Sequence, residues 1–342
     1  MAEELALQMQ WLPEHAPRVL VIGAGVSGLV TATVLAGRGA KVSLIHRPET
    51  RTRASHFAGG MLAPWCEAAD APPRLAVDAA GAIDWWSTHF LGTQRHGSLV
   101  VAPRRDREEL ARFARRTSHH TALDAAAIAA LEPDLAGRFD HGLHFAEEAH
   151  LDPRKALEAL ADGLRQQGVS LQDCDADEAR FGDYDRVVDC RGHAAAQDWR
   201  DLRGVRGEML LLRCPDISLN RPVRLLHPRI PLYIVPREEH CFMVGATMIE
   251  SSDRRAITVR STMDLLNAAY TLHPAFAEAE ILEAGANIRP TLPDNMPALR
   301  DEGQVLRLNG MYRHGFLLAP HLANQAADSV LDRHTHQRRV NA

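Results

Sequence analysis

The sequence is almost without lysine. Only Lys41 and Lys155 occur among its 39 basic residues. Lys41 precedes an apolar strand and Lys155 lies in a polar helical start. Neither reads as a buried amine nucleophile, which sets aside Schiff-base and pyridoxal chemistry. Cysteine is sparse too. Cys66, Cys174, Cys190, Cys214 and Cys241 are scattered and form no CxxC pair. That argues against a disulfide framework and a structural zinc site, and reduced thiols fit a cytoplasmic protein. Charge of one sign is lacking: a net −5 gives no basic field for nucleic acid or an anionic membrane. No run of about 18 apolar residues is present to span a bilayer. Residues 1–17 carry Glu3, Glu4 and Glu14 and lack a basic start with an apolar run, so they read as an N-terminal extension rather than a signal peptide. His119-His120, His141, His144 and His150 show no metal-ligand pattern and read as a surface histidine-rich segment, so no metal is expected. Cys66, beside Glu67, reads as a small packed residue.

What is present is organised in αβ units. A chain of 342 residues is long for one core and points to two domains. Residues 18–22, Arg-Val-Leu-Val-Ile, suit a buried parallel strand. Gly23-Ala24-Gly25-Val26-Ser27-Gly28 follows, then a helical pattern to Gly37 and a second strand over residues 41–45. In this βαβ unit Gly23 permits the tight turn, Gly25 lets backbone approach a pyrophosphate, and Gly28 lets helix and strand pack closely. The phosphate sits at the positive helix start. The acid expected at the end of the second strand, for a ribose hydroxyl, is replaced by His46. The nearest acid is Glu49. His46 can hydrogen-bond a ribose, or His46 and Arg47 can receive a 2′-phosphate, so the loop alone leaves FAD and NADP both open.

Residues 47–73 read as a long functional loop with room for one helical turn, and residues 75–90 as a helix. Asp152 and Pro153 start a helix that stops at Gly168. Residues 169–171 and 186–190 read as parallel strands, and residues 209–245 as antiparallel ones. Further helices are expected over 106–116, 124–131, 263–270 and 315–331. The fold class is therefore α/β: a discontinuous Rossmann-type dinucleotide domain over 18–90, 149–205 and 290–335. An α+β domain with a mainly antiparallel sheet, over 91–148 and 206–289, is inserted into it, with a site where the two meet.

Three further segments resemble the FAD-dependent D-amino-acid-oxidase superfamily, and within it the glycine oxidases of thiamine biosynthesis. They are residues 54–64, Ala-Ser-His-Phe-Ala-Gly-Gly-Met-Leu-Ala-Pro; residues 232–237 with 244–248; and Ile288-Arg-Pro290 with residues 311–320. The likeness runs from about residue 18 to 331. It implies non-covalent FAD, since no flavin-attaching cysteine stands near Arg289. It places the cofactor on the glycine loop, on Ala54, Ser55, Ala58, Gly59, Gly60 and Met61, and on Ala176, Cys190 and Gly192. The helix start at His314, Gly315, Phe316 and Leu317 completes that set. The bare backbone of 58–60 suits a flat ring, and a positive helix start suits an electron-rich one. The resemblance further implies that Tyr233, Arg289 and Arg313 bind and orient a substrate carboxylate, which guanidinium suits by bidentate bonding. The implied reaction oxidises the α-carbon of a small amino acid to an imine, with dioxygen as acceptor and hydrogen peroxide as product, for thiamine thiazole synthesis. A dehydrogenase with another acceptor, or a nucleotide-binding protein without catalysis, stays open, as does a homo-oligomeric state. Met311, His314 and Phe316 depart from residues common in relatives.

Overall fold

The computed structural model describes residues 16–47, 53–227 and 232–341, and the side chains of 178 and 333–341 fall outside that description. The N-terminal extension up to residue 15, and Glu49, lie outside the described residues. In chain order the strands are β1 (Arg18–Ile22), β2 (Lys41–His46), β3 (Met61–Leu62), β4 (Ser98–Val101), β5 (Thr121–Asp124) and β6 (His141–Phe145). There follow β7 (Ala149–His150), β8 (Ser170–Asp173), β9 (Arg186–Asp189), β10 (Arg203–Arg213), β11 (Val223–Leu225) and β12 (Leu232–Pro236). The last are β13 (Cys241–Gly245), β14 (Ile249–Glu250), β15 (Glu280–Thr291), β16 (Ala298–Glu302) and β17 (Val305–Asn309). The helices are α1 (Val26–Gly37), α2 (Pro64–Glu67), α3 (Arg74–Asp78), α4 (Ala82–His89) and α5 (Arg107–Arg116). After them come α6 (Ala125–Leu131), α7 (Pro153–Gln166), α8 (Val259–Leu272) and α9 (Gly315–Asn341).

β1 is apolar on both faces, and its Val19, Leu20 and Val21 are wholly buried, as expected of a central parallel strand. It lies between β2 and β9, both parallel to it, in a sheet of order β16-β17-β9-β1-β2-β8. Only the edge pair β16–β17 is antiparallel. The second sheet runs β14-β10-β13-β12-β11-β4-β6-β5, with β15 beside β10. It is antiparallel except where β11 meets β4. The strands of the first sheet come from three stretches of chain, and those of the second fall between them. α1 and α9 pack into one core with β1 and β2, and Trp86 of α4 is fully buried there.

Local chemistry sets several boundaries. Asp152 caps α7 by accepting from Arg154 N at 2.9 Å, with Pro153 at the first helical position. Asp124 caps α6 by accepting from Ala127 N. Other boundaries differ from the sequence reading. The helix expected over 75–90 is two helices, because Gly81 takes φ +79° and turns the chain between α3 and α4. Residues 54–70, read as loop, carry a 3-10 turn (Ala54–Phe57), β3 and α2. The histidine-rich segment lies at the surface except at its end: His119 and His141 are exposed, and His120 and His144 are half-buried. His141 and His144 lie on β6 inside the second sheet, and His150 is buried on β7, where burial pulls its imidazole down to about 3 and keeps it neutral. No metal-binding group of histidine, cysteine and carboxylates occurs among the described residues.

The β1–α1 turn is the tightest junction. Gly23 has φ +105°, and a Cβ there would stand 2.7 Å from the Cys190 carbonyl oxygen of the neighbouring turn. A Cβ on Gly28 would overlap the Gly23 carbonyl outright. Gly28→Ala should therefore lower the unfolding free energy by about 1–3 kcal/mol through overpacking. Gly163→Ala is the contrast. Gly163 lies inside α7 with open space around it, and alanine there should raise stability by roughly 0.5–1 kcal/mol. Urea melts of both variants check the pair.

Candidate active site

A cavity of about 520 Å³ opens between the carboxyl ends of β1, β2 and β9 and the face of the second sheet. Gly23, Gly25, Val26 and Ser27 line one end of it. Gly28 does not line it; its space is taken up by packing under Gly23. No acidic residue stands in the first turn of α1, so its positive end is left for an anion. The Val26 amide donates to Ser55 Oγ at 3.0 Å, which ties the small-residue segment to the glycine loop. Ala176, Cys190 and Gly192 line the same end, with His46 and Arg47 at its edge. Arg47 is largely exposed and meets Asp175, Nε to Oδ2 at 2.6 Å. Arg53, which the sequence reading did not single out, donates to the Ala24 carbonyl at 2.9 Å and places Nη2 3.1 Å from His46 Nδ1. A lone arginine in a loop carries no signal of such a role; the register that brings residues 24, 46 and 53 together is a tertiary property.

Ala54, Ser55, Ala58, Gly59, Gly60 and Met61 line the middle of the cavity. The backbone carbonyls here are fixed from outside the segment. Arg154 Nε donates to His56 O at 3.1 Å, Arg237 Nη2 to Gly59 O at 2.7 Å, and Leu151 N to Gly60 O at 2.9 Å. Gly59 lies against the Tyr233 ring, where a Cβ would stand 2.7 Å from Cε2. At the start of α9, His314, Gly315, Phe316 and Leu317 line the cavity. The Trp86 indole anchors that start by donating to Phe316 O at 2.7 Å.

The far end holds Tyr233, Arg289 and Arg313. Arg289 lies over Gly207, where any Cβ would overlap its guanidinium. Its Nη1 donates to the Thr247 carbonyl at 3.0 Å, and Tyr233 also hydrogen-bonds it. Burial pulls its pKa down, with the neighbouring phenols opposing that. An enclosed cation with no carboxylate ion pair among the described residues is poised for an anionic ligand. Arg313 is placed differently. Its Nη2 sits 2.6 Å from Glu67 Oε2 and 3.6 Å from Asp70 Oδ2, as ion-pair contacts. Arg224, a charge between Val223 and Leu225 in β11, meets Glu67 at 3.3 Å and Asp70 at 3.1 Å. Burial alone would raise the Glu67 carboxyl, but Arg313, Arg224 and His314 hold it down to about 2. Burial pulls His314 down to about 4, so it is neutral at pH 7. The sequence reading quoted Glu67 without a role and missed Arg224, for which the signal was a charged residue inside an apolar strand.

Glu148 supports this wall from behind. Its Oε1 accepts from the amides of Trp65 at 3.1 Å and Cys66 at 2.7 Å, and Ser98 donates to Oε2. These bonds fix α2, which carries Glu67. Burial pushes the Glu148 carboxyl up to about 8, its hydrogen bonds opposing. A folded pKa above the ordinary value of 4.5 means that folding takes up a proton. The stability contribution is complete below about pH 4.5 and is lost as pH rises through about 8. Glu148→Gln should remove that part of the decline, which denaturant melts at the two ends of the window measure.

The lining suits FAD. It offers a bare glycine turn and helix start at one end and small-residue backbone in the middle. Buried polar atoms without a hydrogen-bond partner among the described residues stand at the other end, among them His314 Nδ1. Comparisons with known proteins agree. A family model described as FAD dependent oxidoreductase matches residues 18–329. A Rhizobium etli protein assigned to thiamine biosynthesis as the oxidoreductase ThiO is 55% identical over 316 residues, 92% of this chain and 96% of that one. A glycine oxidase of Pseudomonas aeruginosa is 28% identical over 362 residues, 92% of this chain and 95% of that one. The crystal structure of the Geobacillus kaustophilus glycine oxidase superposes with a TM-score of 0.77 at 23% identity, covering 93% of this chain and 95% of that one. From the glycine turn to the last helix, this chain belongs to the family of FAD dependent oxidoreductases.

Proposed function

We propose that the protein is an FAD-dependent oxidase of glycine or another small amino acid or secondary amine, acting in the formation of the thiamine thiazole. The observation that carries this reading is Arg289: an enclosed guanidinium facing the cavity, bonded to Tyr233 and to a backbone carbonyl, without a carboxylate ion pair among the described residues. The names of the similar proteins support the substrate class. The division into a cofactor-binding part (18–90, 149–205, 290–335) and a substrate part (91–148, 206–289) belongs to the same reading. So does a cytoplasmic setting, supported by five cysteines that form no disulfide. No described helix is long and apolar enough to cross a membrane.

The chain's own work is recognition and orientation. Arg289 and Tyr233 hold the substrate carboxylate. That fixes which C–H bond faces the middle of the cavity, where the backbone of 58–60 leaves room for a flat ring. FAD, when bound, supplies the hydride acceptor, and dioxygen takes the electrons to give hydrogen peroxide. Glu67 and His314, held at about 2 and 4, are weak bases. The amine is therefore oxidised from its neutral form, without a strong protein base.

Each lost charge-assisted bond is worth about 1.5–3 kcal/mol. Arg289→Ala should therefore raise the apparent KM for glycine or sarcosine by roughly 10- to 150-fold, with the flavin absorbance retained. Peroxide release and the visible spectrum are the measurements. A colourless variant, or an unchanged KM, counts against the assignment. Anaerobic bleaching without peroxide in air would point to a different electron acceptor.

A further inference from the structure

Three arginines stand together at the substrate end, and their charges are treated unequally. Arg224 and Arg313 share two acids, Glu67 and Asp70, by the four ion-pair contacts described above. Asp70 is also shared with the half-exposed Arg116 at 3.2 Å, whereas Glu67 meets only Arg224 and Arg313 among the described arginines and is the acid that lines the cavity. Arg289 bonds only neutral groups, a phenol and a peptide carbonyl. Of the three arginines at this end, Arg289 is therefore the one with no acid beside it among the described residues. The Tyr233 hydroxyl lies within electrostatic reach of Arg289, Glu67, Arg313 and Arg224 alike, so these groups form one local field. Glu67 is mostly enclosed, with 13% of its side chain exposed, and it lines the cavity itself. Its Oε2 has close cations but no hydrogen bond of good geometry. It is therefore held in place by charge and by the α2 backbone that Glu148 fixes. Without that carboxylate, Arg224, Arg313 and Arg116 would be left with the more exposed Asp70 between them, and Arg313, with its nearest acid 3.6 Å away, would face the cavity as a second under-neutralised guanidinium. The end of the site would then match two carboxylates instead of one.

We infer that Glu67 is a specificity-determining residue: by pairing with Arg313 it limits the site to ligands bearing one carboxylate and turns away those with a second acidic arm. The inference rests on Arg289 being the carboxylate anchor, and the test separates the two. FAD-loaded protein is titrated with acetate and with malonate, and binding is followed by calorimetry and by the perturbed flavin spectrum. The wild type should prefer acetate. Glu67→Gln should shift the malonate-to-acetate affinity ratio towards malonate by about tenfold or more, the scale of one added charge-assisted pair. The double variant Glu67→Gln/Arg313→Met should lose that shift. A merely structural Glu67 would weaken both ligands together and leave the ratio unmoved, which overturns the inference. So would a shift that persists in the double variant. Should Glu67→Gln not retain FAD, Arg313→Gln reads the same field: acetate should weaken several-fold there, and an unchanged affinity sinks the inference. If Arg289→Ala binds acetate as the wild type does, the anchor assignment fails by itself, and the malonate-to-acetate ratio still decides the role of Glu67.

Discussion

The junction of β1 and α1 admits no side chain at Gly23 or Gly28, and the placement of the whole site follows from that. With Gly23 against the Cys190 carbonyl and Gly28 against the Gly23 carbonyl, the start of α1 is pressed onto the ends of β1 and β9. Van der Waals exclusion fixes that distance more firmly than any single hydrogen bond could, since overlap energies rise steeply while a hydrogen bond contributes about 1 kcal/mol net. Two other elements take their position from this one. Ser55 reaches the Val26 amide and so docks the small-residue segment. Gly315 brings the start of α9 onto Val26, where a Cβ would stand 3.1 Å from Cγ1. Two helix starts and one bare segment converge on a single cavity because one turn is made of glycine.

The second sheet contributes what the first cannot. A parallel sheet whose strands are buried on both faces has little room for charge. The antiparallel sheet presents alternate side chains to the cavity, and it places Arg224, Tyr233 and Arg289 on three different strands. Enclosed arginines are costly unless matched. Arg224, like Arg313, is matched by Glu67 and Asp70, while Arg289 has no carboxylate pair among the described residues and in the proposed reading meets that of the ligand. Glycine again sets the geometry, because Gly207 and Gly59 are the floor on which Arg289 and Tyr233 lie.

Much of this was legible in the sequence for reasons that are local. The apolar run 18–22, the glycine spacing and the capping pair Asp152–Pro153 act within a few residues of themselves, and they appear in the structure where the pattern puts them. The segments that resemble the oxidase superfamily locate the cavity lining from 54 to 61 and from 314 to 317. Short strands were less legible. β6 reads His-Gly-Leu-His-Phe, in which a glycine and two histidines hide the alternation that its neighbours β4 and β5 enforce. The break at Gly81 was equally hidden, since a helical pattern continues across it and only the φ of one residue divides it.

Ion pairing is where sequence reading stopped, and the reason is separation along the chain. Glu67 meets Arg224 across 157 positions, and nothing local to either residue encodes the partner. A motif can say that an arginine stands at 313; it cannot say whether that arginine is free. The distinction decides the chemistry, because a free guanidinium attracts an acid while a paired one presents a neutral wall. Arg289 and Arg313 carry the same side chain and line the same cavity. The carboxylate that α2 brings to Arg313, and not to Arg289, makes Arg313 part of a paired wall and leaves Arg289 as the anchor of the proposed reading.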